Sequence, residues 1–126
     1  MLRKLFVSIL VMTACLMANS LSLVDNEDGT WGVGYESSDA IGGFQFNVDG
    51  TTINSASGGD ATAAGFMVSA SGTTVIGFSL SGATIPAGAG TLLTLDLDGT
   101  PSALSGLVVS DAIGTNLGFT YDSGDV

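Results

Sequence analysis

From Trp31 to Tyr121 the sequence keeps one rhythm: short runs with an apolar side chain at every second position, separated about every ten residues by Gly, Ser, Asp or Asn clusters. In IGGFQFNVDGTT (41–52), Phe44, Phe46 and Val48 fall on one face and Gln45 and Asn47 on the other, the period of a half-buried strand. Asp49-Gly50 then tolerates positive φ and predicts a hairpin or tight loop. The same period places Trp31, Val33 and Tyr35 on one face of WGVGY, and Phe66, Val68 and Ala70 on one face of FMVSA. It points Ile76, Phe78 and Leu80 inward in TTVIGFSL, and Leu93, Leu95 and Leu97 inward in TLLTLDL. TIN (52–54), LVVS (107–110) and LGFTY (117–121) read as further short strands, while SASGGDATAAG (55–65) reads as a long loop within one domain. No segment has a helical i, i+3, i+4 pattern of useful length, so the expected class is all-β, an antiparallel sandwich or barrel.

The first twenty residues differ in kind. Arg3 and Lys4 precede an apolar stretch (5–17) too short for a comfortable membrane span, and Ala18-Asn19-Ser20 offers the small residues that signal peptidase reads. Residues 1–20 are therefore expected to be a signal peptide and 21–126 the domain, secreted or at the cell surface. The loose lipobox MTAC, ending at Cys15, is the rival processing site, with Met12 in place of the usual Leu and apolar Leu16 and Met17 following.

Removing that leader removes Arg3, Lys4 and Cys15. The remainder holds twelve carboxylates and no Lys, Arg or His, a formal charge of −12. Nothing is left to neutralise a phosphate backbone, which excludes nucleic acid and anionic membrane surfaces as partners. Without a mature Cys no disulfide can form, so burial and sheet hydrogen bonds must hold the fold. Without His, Lys or Cys the usual bases and nucleophiles are missing, and the chain is not expected to be an enzyme.

Three groups of residues are candidates for chemistry. Asp96 and Asp98 share a strand face, roughly 6–7 Å apart, and suit solvated or capping roles, Ca²⁺, or in principle a glycosidase acid and base. The EF-hand pattern fails around them, since position one is Thr94 and position twelve is Ser105. The acidic turn DNEDG (25–29) could join a weak cation site. Trp31 and Tyr35 flank Val33, so their face is expected to be core; an exposed face would make them a glycan platform. Asp-Gly-Thr recurs at 28–30, 49–51 and 98–100, which turn chemistry explains without an internal repeat.

IGGFQFNVDG, then VIGFSLSGATIPAGAGTLLTLDLDG, then LSGLVVSDAIGTNLGF resembles the cohesin domain and its carbohydrate-binding-module relatives. The resemblance implies an antiparallel jelly-roll β-sandwich of about nine strands and a non-catalytic binding or structural module. It implies a protein partner, dockerin-like or self, gripped in part through the strand that matches 41–48. There Gly43 and Gln45, with Asn47, are the outward positions, and dockerin-binding members often carry Asn or Asp at the first two. A self-assembling surface or filament subunit and a carbohydrate-binding module are the alternatives. No cofactor is required on this reading, and Ca²⁺ is possible.

Overall fold

The computed structural model describes residues 19–123. The chain runs through β1 (Ser20–Asp25), β2 (Thr30–Ser37), β3 (Gly43–Asp49), β4 (Ile53–Ser57), a short helix α1 (Gly59–Ala63), β5 (Met67–Ser71), β6 (Thr74–Phe78), β7 (Gly88–Leu97), β8 (Ala103–Ser110) and β9 (Thr120–Asp122). The strands form two layers, a five-stranded sheet in the order β4-β7-β2-β1-β9 and a four-stranded sheet in the order β5-β6-β3-β8. All pairs are antiparallel except β1 with β9, which run parallel. The result is the expected all-β sandwich of nine strands.

Alternation along each strand fills the space between the layers. Leu21, Val33, Leu93 and Leu95 of one sheet meet Phe46, Val48, Val75 and Val109 of the other, all buried. Phe44 stacks between Phe46 and Phe66, with ring centroids 6.2 and 6.1 Å away. Ile41 and Ile85 exchange both backbone hydrogen bonds, at 2.8 and 2.9 Å, and close one end of the core. The register of β2 with β7 slips between Val33 and Gly34 of β2, which pair with Leu93 and Thr91 and leave Leu92 of β7 as an extra residue. This bulge lets Leu92 and Leu93 both turn inward although they are adjacent in sequence.

Two expectations are corrected and one is narrowed. Of the hairpin or tight loop expected at Asp49-Gly50, the structure has the tight loop, with Gly50 at φ 93, because β3 and β4 belong to different sheets. The segment 55–65 is mostly ordered secondary structure: β4 continues to Ser57 and α1 follows. Tertiary contact holds that helix, since Ala61 is fully buried and a side chain at Gly59 would overlap the Leu92 carbonyl at the bulge. On β6 the inward residues are Val75 and Gly77, so Ile76, Phe78 and Leu80 face solvent. Phe44 decides this parity, because its ring lies where a Cβ on Gly77 would be, within 2.7 Å of that position at Cε1 and closer still at Cζ. The large side chain on β3 needs a bare position opposite it on β6.

The expected leader lies outside the described residues as far as Ala18. Its last two residues are part of the sandwich: Ser20 opens β1, and Asn19 donates from Nδ2 to Leu117 O and accepts the Ser38 backbone N–H at Oδ1. Among the described residues, no helix is long and apolar enough to cross a membrane.

Candidate functional site

The two-residue period that buries Phe44, Phe46 and Val48 sends Gly43, Gln45 and Asn47 to the outer face of the four-stranded sheet. Strand register then builds rows across that face. The first runs Met67, Phe78, Gly43, Ser110; the second Ser69, Ile76, Gln45, Val108; the third Ser71, Thr74, Asn47, Ser105. No position in the three rows is charged.

In the first two rows Gly43 and Gln45 of β3 are neighboured by Phe78, Ile76 and Val108, with Met67 beyond Phe78 and with Ser69 and Ser110 at row ends. Met67, Ile76, Phe78 and Val108 are each 41–52% exposed, and the loops after β6 and β8 add Leu80 and Ile113 at 79% and 86%. These loops leave from the Phe78–Gly43–Ser110 row. Among the described residues, only Val24 of the seven exposed large hydrophobic residues lies on the other sheet. In a monomer such residues are ordinarily scattered, and a contiguous group marks an interaction surface. Gln45 lies at its centre, exposed, and its amide takes no hydrogen bond from the described residues. The third row is bonded internally instead, with the Thr74 hydroxyl donating to Asn47 Oδ1 at 2.6 Å and Ser105 to Asp49 Oδ1 at 2.8 Å.

The other candidate residues lie elsewhere. Trp31 and Tyr35 share the inward face of β2 with Val33; Tyr35 is buried and Trp31 packs half-buried against the core. The Tyr35 hydroxyl donates to Asp60 Oδ2 at 2.6 Å. Burial, then that hydrogen bond and the Asp60 charge, push the hydroxyl up to about 12. Asp96 and Asp98 are exposed on one side of β7 and the turn after it, as their spacing requires. Asp98 Oδ2 accepts from the Thr52 hydroxyl at 2.7 Å, and hydrogen bonds from Thr52 and Asn54 hold its carboxyl below the usual aspartate value. In the acidic turn, Asp25 accepts the Glu27 N–H and Asp28 accepts the Thr30 N–H, and the Thr30 side chain with that N–H lowers Asp28 in the same sense. Among the described residues no group of three or more His, Cys, Asp or Glu is arranged to hold a metal ion.

Sequence reasoning placed Gly43, Gln45 and Asn47 on the outer face but missed the apolar residues around them. The signal was Gly77: a bare position in an otherwise bulky strand, opposite Phe44, reverses the parity of its neighbours.

No family model and no curated protein matches the sequence. Two solved structures do match in fold. One is the non-cellulosomal cohesin from the hyperthermophilic archaeon Archaeoglobus fulgidus, with TM-score 0.57 and 14% identity, covering 82% of this chain and 85% of that one. The other is a chain of the CaDoc0917–CaCohA2 complex crystallised at pH 5.5, with TM-score 0.55 and 21% identity, covering 82% of this chain and 94% of that one. Two layers in this strand order, filled by alternating Phe, Val and Leu and matched over four-fifths of the chain, make this a cohesin-like β-sandwich.

Proposed function

We propose that this domain is a non-catalytic protein-binding module, exported to the cell surface or medium, that docks a partner on the outer face of the β5-β6-β3-β8 sheet. The observation that carries the reading is the grouping of Met67, Ile76, Phe78 and Val108 around the free Gln45 amide. Apolar area at the centre of a protein interface supplies the driving force, and one well-placed polar group fixes register. The cohesin in the CaDoc0917–CaCohA2 complex has a partner chain, and a dockerin-like module is the corresponding partner here. The acidic charge of the domain as a whole favours a partner with a basic rim, since complementary charge speeds encounter and like charge suppresses it. A second copy of this domain, without the expected leader, carries the same −12 and is the poorer partner for that reason. A glycan platform on Trp31 and Tyr35 is not part of the proposal, because those rings turn toward the core.

The test uses the purified chain and the double variant Ile76→Ser, Phe78→Ser, passed over immobilised dockerin modules. The wild type is expected to be retained and the variant lost, with both melting at nearly the same temperature. Equal retention of the two proteins would remove the assignment to this face, and sedimentation that shifts with concentration only for the wild type would transfer the face to self-association.

A further inference from the structure

Away from the docking face, α1 and the segment before β7 enclose an open cavity of about 480 Å³. Its polar end is Tyr35 and Asp60; its walls are the methyl and methylene groups of Ala63, Ala64, Pro86 and Ala87, with Thr84 beside them. The polar end is assembled by close packing. Gly59 seats α1 on the Leu92 carbonyl, and Gly90 leaves room for the contact, since a Cβ there would lie 2.8 Å from Asp60 Oδ2 and 3.4 Å from Tyr35 Cε1.

Asp60 Oδ2 accepts the Tyr35 hydroxyl, while Oδ1 takes no hydrogen bond from any described residue. Between residues 19 and 123 there is no Lys, Arg or His, so no group of this domain can neutralise that half-buried carboxylate. A lone carboxylate with apolar walls is a poor metal site, because hard cations take six or more oxygen ligands, and no further carboxylate joins it. An ammonium head fits better. It carries three donors, and Asp60 Oδ1, the remaining lone pairs of the Tyr35 oxygen and the Thr84 hydroxyl are acceptors lining one cavity. Alanine and proline methyl and methylene groups suit the alkyl stem behind such a head.

We propose that the cavity between α1 and residues 84–87 binds a primary ammonium group on a short alkyl stem, held by Asp60 and Tyr35. The ligand is either a small free amine or a lysine side chain presented by another protein. The site is distinct from the docking face and stands without it.

Amide resonances of the full chain are followed by NMR during titration with butylammonium chloride, with 1-butanol as the uncharged match in size. Butylammonium is expected to shift Ala63, Ala64 and Ala87 saturably, with half-saturation on the order of 1–10 mM for so small a ligand. Asp60→Asn should weaken binding at least tenfold. Ala63→Leu should block it with the carboxylate intact, and circular dichroism should report both variants folded. Equal shifts from butanol, undiminished binding by Asp60→Asn, or no saturable shift would overturn the proposal. Nα-acetyl-lysine methylamide separates the sources: binding equal to butylammonium assigns the site to a partner's lysine, and its rejection assigns the site to a free amine. Phe78→Ser should leave these titrations unchanged, so failure here and failure of the docking proposal are read independently.

Discussion

Gly77→Ala tests the packing of the sandwich at its most sensitive point. Gly77 is buried on β6, its φ lies in the ordinary range, and its would-be Cβ falls inside the Phe44 ring, 2.7 Å from Cε1 and nearer to two other ring atoms. The ring has nowhere to retreat, since it is 4% exposed and stacked between Phe46 and Phe66. Inserting a methyl group into such a core forces off-rotamer side chains or a backbone shift, costing about 1–3 kcal/mol. Had Ile76 and Phe78 faced inward, Gly77 would face water. Alanine would then stabilise the strand by roughly 0.5–1 kcal/mol through the lower entropy of the unfolded chain. The two packings therefore differ in the sign of the effect. Urea unfolding followed by circular dichroism and by Trp31 fluorescence reads it directly, with coincident curves securing a two-state treatment. A midpoint that falls with unchanged slope supports the structure; an unchanged or higher midpoint would refute the argument.

Other measurements bear on the remaining contacts. Tyr35 holds its proton more tightly when folded, so its share of stability is complete below about pH 10 and is lost as pH rises through about 12. Ultraviolet titration should show one of the two tyrosines ionising late, and Asp60→Asn should bring it part of the way back toward 10, with desolvation remaining. Ile76→Thr should change stability by under about 1 kcal/mol, because the side chain is already 41% exposed and stays β-branched; a loss of several kcal/mol would place it in the core. A chain begun at Asn19 should be more stable by about 1–3 kcal/mol than one begun at Leu21. Asn19 gives a carbonyl to the Thr120 N–H and side-chain bonds to Leu117 and Ser38 that the shorter chain lacks; equal melting would show those bonds to be idle. Added sodium chloride should raise the melting temperature by screening carboxylate repulsion, and a fall would contradict a fold without internal ion pairs.

Period-two reading succeeded where one face of a strand was bulky and the other polar. Phe44, Phe46 and Val48 alternate with Gln45 and Asn47, and Leu93, Leu95 and Leu97 with Thr94 and Asp96, so only one assignment buries the larger side chains. It failed on β6, where Val75 and Gly77 compete with Ile76 and Phe78. Hydropathy favours the second pair, and only the volume of Phe44 on the neighbouring strand reverses the choice. Local pattern carries no information about a ring two strands of sequence away. The same limit hid α1: Gly58 and Gly59 argue against a helix, and five residues show no period, yet the approach of Gly59 to Leu92 requires a residue without a side chain. Bulges are similarly silent, since Leu92 and Leu93 read as one inward and one outward residue. The proposed docking face was half legible, then: its polar centre followed from β3 alone, whereas its apolar neighbours depended on packing between strands.

A domain with twelve carboxylates and no Lys, Arg or His cannot pair its acids in salt bridges, and hydroxyls and amides bond several of them instead. Asp28 takes Thr30, Asp49 takes Ser105, Asp60 takes Tyr35, Asp98 takes Thr52, and Asp111 takes the backbone N–H groups of Ile113 and Thr115. Such bonds are short-range, so they fix turns and strand ends but leave the long-range repulsion of the acids in place. That repulsion works against pairing of two copies through the uncharged face bearing Met67, Ile76, Phe78 and Val108. Two copies approaching through it bring two acidic domains together and gain only the apolar contact, whereas a partner with a basic rim gains both. On the proposed reading the acidic composition thus also selects among partners, and it does so most strongly at low salt, where the screening length reaches about 30 Å at 0.01 M.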